Sequence, residues 1–456
     1  MAERRKVIVV DDDPTGSQTV HSAPLLLRWD PASLRRGLLH PSPLLFLLAN
    51  TRALAPAAAR QRVQEICRAL KPQLEQAQAA GELDRWLIVS RGDSTLRGHF
   101  PLEVEAIAAE LGPFDATLLA PAFLPGGRTT AGGVHYLHGQ PVHTTPFARD
   151  RLFGFSTSAL PAWVEEKSAG RIPAAAVARL DLRDLEGPEA SLQDQLTAFS
   201  GGQLVAVDAE RPEQLERLGQ AVWAVTDPAA PAPRRLLFQS AASLINGLVP
   251  LPPQPRDAAG LAALRRCDSG GTPLPVLVMV GSHVPLADAQ LEALLQEPAC
   301  SPVELPVAKL ARVLEGPAPS ELLRSLEQAW LEQLRACLRE GLTPVLFSSR
   351  GELECASAAE RRRFGLALAA LMARLAAALA PELGLIISKG GITTHTLLAD
   401  GLDLGWVELQ GQLLPGLSLV LTPPEAAVPH LPVITFPGNL GDAGTLRQAW
   451  RLLTQR

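Results

Sequence analysis

The chain has 456 residues, a formal net charge of -5 at pH 7 and a sequence pI near 6.0, a balance that argues against a general nucleic-acid binder. Hydrophobic residues make up 47% and charged residues 20%, which excludes a disordered chain, and the length exceeds one ordinary core, so two domains are expected. Cys67, Cys267, Cys300, Cys337 and Cys355 are scattered and never spaced as CxxC, so the pattern suggests neither a disulfide framework nor a zinc site.

Val7–Val10 is a short, β-branched run that reads as a buried parallel strand, and Asp11, Asp12 and Asp13 follow it directly, before Pro14-Thr15-Gly16. The run is too short for a secretory leader, so a cytoplasmic location is expected. Adjacent carboxylates repel one another and need a cation or a basic ligand nearby. The next run, Leu44–Leu48, exits into Asn50-Thr51-Arg52. Trp86–Val89 exits into Ser90-Arg91-Gly92-Asp93-Ser94-Thr95-Leu96-Arg97-Gly98-His99, with Pro101 suited to open the following helix. In an open parallel sheet these exits share one edge, so Asp12, Asp13, Arg52 and Asp93 to Arg97 are expected to converge on one crevice. Carboxylates for hydroxyl groups and guanidinium forks for an acid group describe a pocket for a small polyhydroxy acid.

Thr117–Leu119 leads into a long Gly/Pro loop, Pro121 to Thr130, with Arg128 as its basic residue. His135, His138 and His143 follow without a neighbouring carboxylate, so no metal site is expected there. Leu204–Val207 is a further strand. Prolines 250, 252, 253, 255, 273 and 275 with Gly270-Gly271 then mark a linker over 251–275, giving domains at 1–250 and 276–456.

In the second domain Val276–Val280 exits into Gly281-Ser282-His283, and Val345–Phe347 is a further strand. Leu385–Ile387 exits into Ser388-Lys389-Gly390-Gly391-Ile392-Thr393, and Val433–Phe436 into Pro437-Gly438-Asn439-Leu440-Gly441. Glycine turns at strand ends free backbone N–H groups for an anion, and Lys389, one of few lysines, suits a phosphate. Neither GxxxxGK[ST] nor a GxGxxG after the first strand is present, so the P-loop and Rossmann arrangements are excluded. Helical patterns span Pro56–Ala80, Pro101–Leu111, Leu286–Leu295, Ser320–Glu340 and Ala358–Ala380. The Ala/Leu-rich stretch from Phe364 to Leu385 carries Arg374 and Glu382 and reads as a core helix rather than a membrane span. Strand alternating with helix gives an α/β class, with a mostly parallel sheet flanked by helices in each domain.

Asp12-Asp13-Pro14-Thr15-Gly16, Asp93 to Gly98, Gly127-Arg128-Thr129, Gly390-Gly391-Ile392-Thr393 and Pro437 to Gly441 together resemble the motifs of the four-carbon acid sugar kinases, in the same order over nearly the whole chain. The resemblance implies an acid-sugar-binding first domain, a nucleotide-binding second domain and a ligand cleft between them. It implies ATP and Mg²⁺, with a tetronate such as threonate, erythronate or a 3-oxo-tetronate as substrate. Asp12, Arg52, Asp93, Ser94, Thr95, Leu96 and Arg97 would hold the acid sugar. Ser282, Lys389, Gly390, Gly391, Ile392, Thr393, Gly438, Asn439 and Gly441 would hold ATP. Asp13 is the expected general base, with Asp12 as the alternative. No membrane or nucleic-acid partner is expected, and a homodimer is allowed. Two rival readings remain: a haloacid-dehalogenase-type phosphatase using Asp11 and Asp13, and a sugar-acid sensor without turnover.

Overall fold

A computed structural model describes residues 3–17, 19–314, 320–350 and 357–454; Cys355 lies outside them. The chain forms two compact units, Met1–Pro253 and Gln254–Arg456.

The first unit contains β1 (Arg5–Asp11), β2 (Ala23–Leu26), β3 (Leu44–Leu48), β4 (Arg85–Arg91), β5 (Ala116–Ala120), β6 (Arg128–Ala131), β7 (Val134–Leu137), β8 (Gln140–Pro141), β9 (Ala178–Leu180), β10 (Gln203–Val207) and β11 (Leu236–Ser240). Its main sheet runs β2-β3-β1-β4-β11-β5-β10-β9, and every pair in it is parallel. β6, β7 and β8 form a separate antiparallel sheet. The unbroken apolar run of β1 follows from its place: Val7, Ile8 and Val9 are 0% exposed, as expected for a central strand covered on both faces. The chain leaves β1 on one side for β2 and β3 and returns on the other side as β4. That reversal makes the carboxyl end of β1 a switch point, where open α/β sheets gather ligands.

The second unit contains β12 (Val276–Val280), β13 (Cys300–Leu305), β14 (Thr343–Ser348), β15 (Leu385–Lys389), β16 (Trp406–Leu414), β17 (Leu417–Leu421) and β18 (Pro432–Phe436). β13-β14-β12-β15-β18 are parallel, while β17 runs antiparallel to both β18 and β16. Here β12 has β14 on one side and β15 on the other, giving a second switch point. The apolar helix Glu360–Glu382 is long enough to cross a membrane by length and composition, but Leu371, Leu375, Ala376 and Leu379 are at most 1% exposed, the packing of a core helix.

Each apolar run named from sequence is a strand. The segment 251–275, expected as an extended linker, instead joins the second unit from Gln254 onward. It holds the short helix Ala258–Ala262, and Leu261 is fully buried in that unit's core. Arg265 and Arg266 also donate to the carbonyls of Leu274 and Leu383, at 2.8 Å each, so proline density there marks bends rather than slack chain.

Candidate active site

In the first unit three strand exits meet. Asp11 closes β1 at 1% exposure, Asp12 follows at 3%, and the Asp13 side chain keeps 20%. Arg52, in the single turn Thr51–Ala53 after β3, forks onto Asp12, with Nε 2.9 Å from Oδ2 and Nη2 2.5 Å from Oδ1. Its Nη1 lies 3.3 Å from Asp13 Oδ2 and 3.8 Å from Asp93 Oδ1. Arg91, at the end of β4, places Nη1 3.6 Å from Asp12 Oδ1 and 3.8 Å from Asp11 Oδ1. Asp93 accepts from Arg97 Nε at 2.9 Å and from both the backbone and hydroxyl of Thr95. Arg97 also lies 3.7 Å from Asp150 and over the Phe147 ring at 4.9 Å. The loop can fold back this tightly because Leu96 takes φ 64 and Gly98 φ 124, both left-handed.

These surroundings divide the carboxylates. Burial pushes Asp11 up to about 7, against the pull of Arg91. Burial also raises Asp12, against the Arg52 fork. Asp13 is lowered: burial opposes its charge, but Arg52 and the Thr15 hydroxyl and N–H outweigh it. The cations of Arg52 and Arg97 hold Asp93 well below the usual carboxylate range in spite of its burial. At neutral pH Asp13 is therefore an ionised acceptor, and among Asp11, Asp12 and Asp13 it is the one with accessible surface.

Sequence reading missed Arg91 and Glu103 as members of this cluster. Glu103 is 4% exposed and accepts from the Thr51 hydroxyl, and burial with the neighbouring Asp12 charge pushes it up to about 8. Its signal was an acidic residue in the first turn of a helix that the packing turns inward. His135 is fully buried, with Nδ1 2.9 Å from Thr130 Oγ1 and Nε2 2.8 Å from the Ser94 carbonyl; burial lowers it to about 4, so it is a neutral tie. Among the described residues no group of three or more His, Cys, Asp or Glu is arranged to hold a metal ion.

In the second unit the glycine turns are in mutual contact. A Cβ on Gly281 would collide with Thr393 Oγ1, one on Gly390 would stand 3.2 Å from the Ser282 N, and one on Gly438 would stand 2.8 Å from Ser282 Oγ. Ser282 thus lies where the exits of β12, β15 and β18 come together. Gln290 supports the 438–442 turn by donating to the carbonyls of Leu440 at 2.9 Å and Asp442 at 2.6 Å, while Asn439 and Gly441 are exposed on it. Lys389 differs from expectation. It is fully buried, its Nζ donates to the carbonyls of Pro437 at 3.0 Å and Gly438 at 3.2 Å, and it sits 4.0 Å from the centre of the Phe436 ring. Burial lowers its pKa to about 7. It therefore fixes the shape of the turn instead of facing a phosphate.

A cavity of about 530 Å³ opens beside Gly281 and Thr393, walled by Val307, Phe364, Leu368, Met372 and Ile392. Ile392, 41% exposed, borders it. Phe364, Leu368 and Met372 recur every four residues on one helix face, a spacing that from sequence reads as ordinary core. Arg350, also missed, braces the first turn by donating to the carbonyls of Ser282 at 2.6 Å and Val280 at 3.2 Å.

A family model described as a sugar-binding N-terminal domain matches residues 7–248, and one described as a nucleotide-binding C-terminal domain matches 277–446. The chain is 27% identical over 402 residues to a D-threonate kinase of Cupriavidus necator, covering 83% of this chain and 85% of that protein. It is 25% identical over 303 residues to a D-erythronate kinase of Heliobacterium modesticaldum, covering 63% and 60%. In fold it is similar to a solved structure from Salmonella typhimurium LT2, with a TM-score of 0.66 at 17% identity over 99% of this chain and 100% of that one.

Proposed function

The chain belongs to the family that joins a sugar-binding N-terminal domain to a nucleotide-binding C-terminal domain, and on that premise we propose that it is an ATP-dependent kinase of a small sugar acid. The substrate is a four-carbon tetronate such as threonate, erythronate or a 3-oxo-tetronate; its relatives are named for the first two, D-threonate and D-erythronate. Residues 1–250 bind the acid sugar and residues 276–456 the nucleotide. The observation that carries this reading is the convergence of Asp12, Asp13 and Asp93 on the single guanidinium of Arg52, at the switch point of the first sheet.

A sugar hydroxyl becomes a nucleophile when a carboxylate within hydrogen-bond reach takes its proton as the bond to phosphorus forms. Asp13 is the base, because its side chain keeps 20% exposure while both oxygens of Asp12 are held by Arg52. Asp12 positions Arg52, and Arg52 orients Asp13. Asp93, Ser94 and Thr95, with Leu96 as the turn and Arg97 as counter-charge, shape the substrate's bed. In the second unit the backbone of Ser282, Gly390 to Thr393, Gly438, Asn439 and Gly441 holds the phosphates. Lys389 sets that turn, and the apolar cavity takes the base. The three turns lie together beside a cavity of nucleotide size. The N–H groups of Gly281 and Gly390 are spent on the carbonyls of Lys389 at 3.1 Å and Phe436 at 2.9 Å, so the phosphates would be met by those of Ser282 and of Gly391 to Thr393 at the start of the following helix. Mg²⁺ bound with the phosphates would need few protein ligands and would neutralise their charge. The enzyme acts in the cytoplasm.

The phosphatase reading is disfavoured because its nucleophile, Asp11, is 1% exposed and packed against Gly16, where a Cβ would collide with its carboxylate. ADP release measured against a panel of three- to six-carbon sugar acids tests the proposal. Turnover restricted to four-carbon acids supports it; phosphate release without nucleotide refutes it.

A further inference from the structure

Four guanidinium groups surround the acidic cluster of the first unit, and three are already neutralised from within. Arg52 has Asp12, Asp13 and Asp93; Arg91 has Asp11 and Asp12; Arg97 has Asp93 and Asp150. Arg128 differs from these. Among the described residues no carboxylate lies within 4.0 Å of it, and the one hydrogen bond of its guanidinium joins Nη1 to the Gly126 carbonyl at 2.7 Å; its Nε is buried without a hydrogen-bond partner, as is that of Arg91. Arg128 is half-buried, and an arginine partly withdrawn from water without a carboxylate leaves part of its charge and donors uncompensated.

The local structure is built to hold it there. The backbone N–H of Arg128 donates to the Phe123 carbonyl and that of Phe123 to the Arg128 carbonyl, both at 3.0 Å, closing the loop behind it. The guanidinium lies 5.6 Å from the centre of the Phe123 ring. It also crosses the bare Cα of Gly126, where a Cβ would collide with Nη1. The strand that Arg128 begins is tied to the Asp93–Arg97 loop, because His135 of the paired strand β7 bonds Thr130 on one side and the Ser94 carbonyl on the other. The charges of Asp93 and Arg97 both act on Arg128, so it belongs to the same field.

We infer that Arg128, not Arg52 or Arg97, is the group that binds the carboxylate of the sugar acid and so selects acids over neutral polyols. The inference rests on the kinase reading of this site. A second anion brought beside Asp13 and Asp93 meets repulsion unless a cation without a carboxylate partner receives it, and of these four arginines Arg128 is the one among the described residues that has none. Its planar fork matches a carboxylate in two hydrogen bonds.

The test compares the unaltered chain with Arg128→Gln and Arg128→Lys, using D-threonate, D-erythronate and the corresponding uncharged tetritols as acceptors. Arg128→Gln is expected to raise KM for the acids by roughly 10- to 100-fold, the scale of a lost charge-assisted hydrogen bond, with a smaller change in kcat. The preference for acid over tetritol is expected to fall by the same factor. Arg128→Lys, which keeps the charge but not the fork, is expected to fall between. An unchanged KM and an unchanged acid-to-tetritol ratio in a variant that melts like the unaltered chain overturns the inference. Should Arg128→Gln not fold, an unchanged KM in Arg128→Lys does the same. If the unaltered chain transfers no phosphate to any acid, the kinase reading fails separately. Calorimetric titration of D-threonate then decides the role of Arg128 alone, an equal affinity in the Gln variant overturning it.

Discussion

Asp13→Asn separates proton removal from architecture. In the folded chain Asp13 Oδ1 accepts from the Thr15 N–H at 2.8 Å and from its hydroxyl, while Oδ2 sits 3.3 Å from Arg52 Nη1. Asparagine keeps the Thr15 contacts through its own oxygen and replaces the acceptor facing Arg52 with an amide NH2, so that single 3.3 Å contact is lost. Arg52 stays anchored by both oxygens of Asp12. The stability cost is therefore small, about 1 kcal/mol for one lost polar contact. The kinetic cost is larger, because an amide takes no proton at neutral pH. General-base catalysis contributes typically 10²–10⁴-fold, so turnover is expected to fall at least about 10²-fold, or about 2.7 kcal/mol of barrier. ATP affinity, determined in the second unit, is expected to stay nearly constant.

Asp12→Asn makes the contrast. Asp12 is 3% exposed and holds the Arg52 fork, so its loss leaves a cation that is only 20% exposed with Asp13 and Asp93 alone, a change bounded above by the roughly 3–5 kcal/mol of a broken buried pair. That variant is expected to show a lowered unfolding midpoint as well as low activity. The assays are steady-state ADP release, calorimetric ATP titration and denaturant unfolding on both variants. Turnover by Asp13→Asn within about threefold of the unaltered chain would remove Asp13 as the base, and a kinetic loss equal in both variants with equal destabilisation would refute the division of roles.

Glu103 gives a pH-dependent test. Its folded pKa is pushed up to about 8 from the ordinary 4.5, so the folded state holds a proton that the unfolded state releases between those values, and stability is lost as pH climbs through that window. Glu103→Gln removes this slope, and its stability relative to the unaltered chain is expected to rise by up to a few kcal/mol from pH 5 to pH 8.5 in denaturant titrations; parallel curves would refute the buried neutral acid. Gly281→Ala drives a Cβ into Thr393 Oγ1 and is expected to weaken ATP binding at least about tenfold while leaving sugar-acid binding intact, both read by calorimetry. Lys389→Met leaves the carbonyls of Pro437 and Gly438 without their donor and is expected to lower stability by about 1–3 kcal/mol; a large loss of ATP affinity at unchanged stability would restore Lys389 to a direct phosphate role.

The sequence was most legible where burial leaves a one-dimensional mark. Central parallel strands covered on both faces need continuous apolar runs, so β1, β3, β12, β15 and β18 announced themselves, together with the small or charged residues at their exits. Strands buried on one face did not. β13 alternates buried and exposed positions, and β16 does so over much of its length, so neither offers a run to see. The edge strand β9 is three residues long, too short for any period to show.

Charge was legible as position but not as pairing. Strand order alone brings Arg52, Asp12 and Asp93 to one place, because exits of neighbouring parallel strands must share an edge. Which cation cancels which carboxylate depends on differences of an ångström or two that no spacing encodes. Scarcity pointed to Lys389 as a phosphate ligand, yet its stem, leaving the last residue of a buried strand, has no route except inward to the carbonyls of the next turn. The same logic runs in reverse for Arg52 and Arg97. Arginine beside a sugar-acid pocket suggests an anion partner, but Arg52 meets Asp12 and Asp13 from the neighbouring strand exit, and Arg97 meets Asp93 four residues back on its own loop. Arg128 comes from a loop whose near neighbours in sequence are Gly, Pro, Phe and Thr, with no acid among them. A loop without carboxylates delivers a guanidinium that the protein leaves unpaired, which is what recognition of an acid from solution requires.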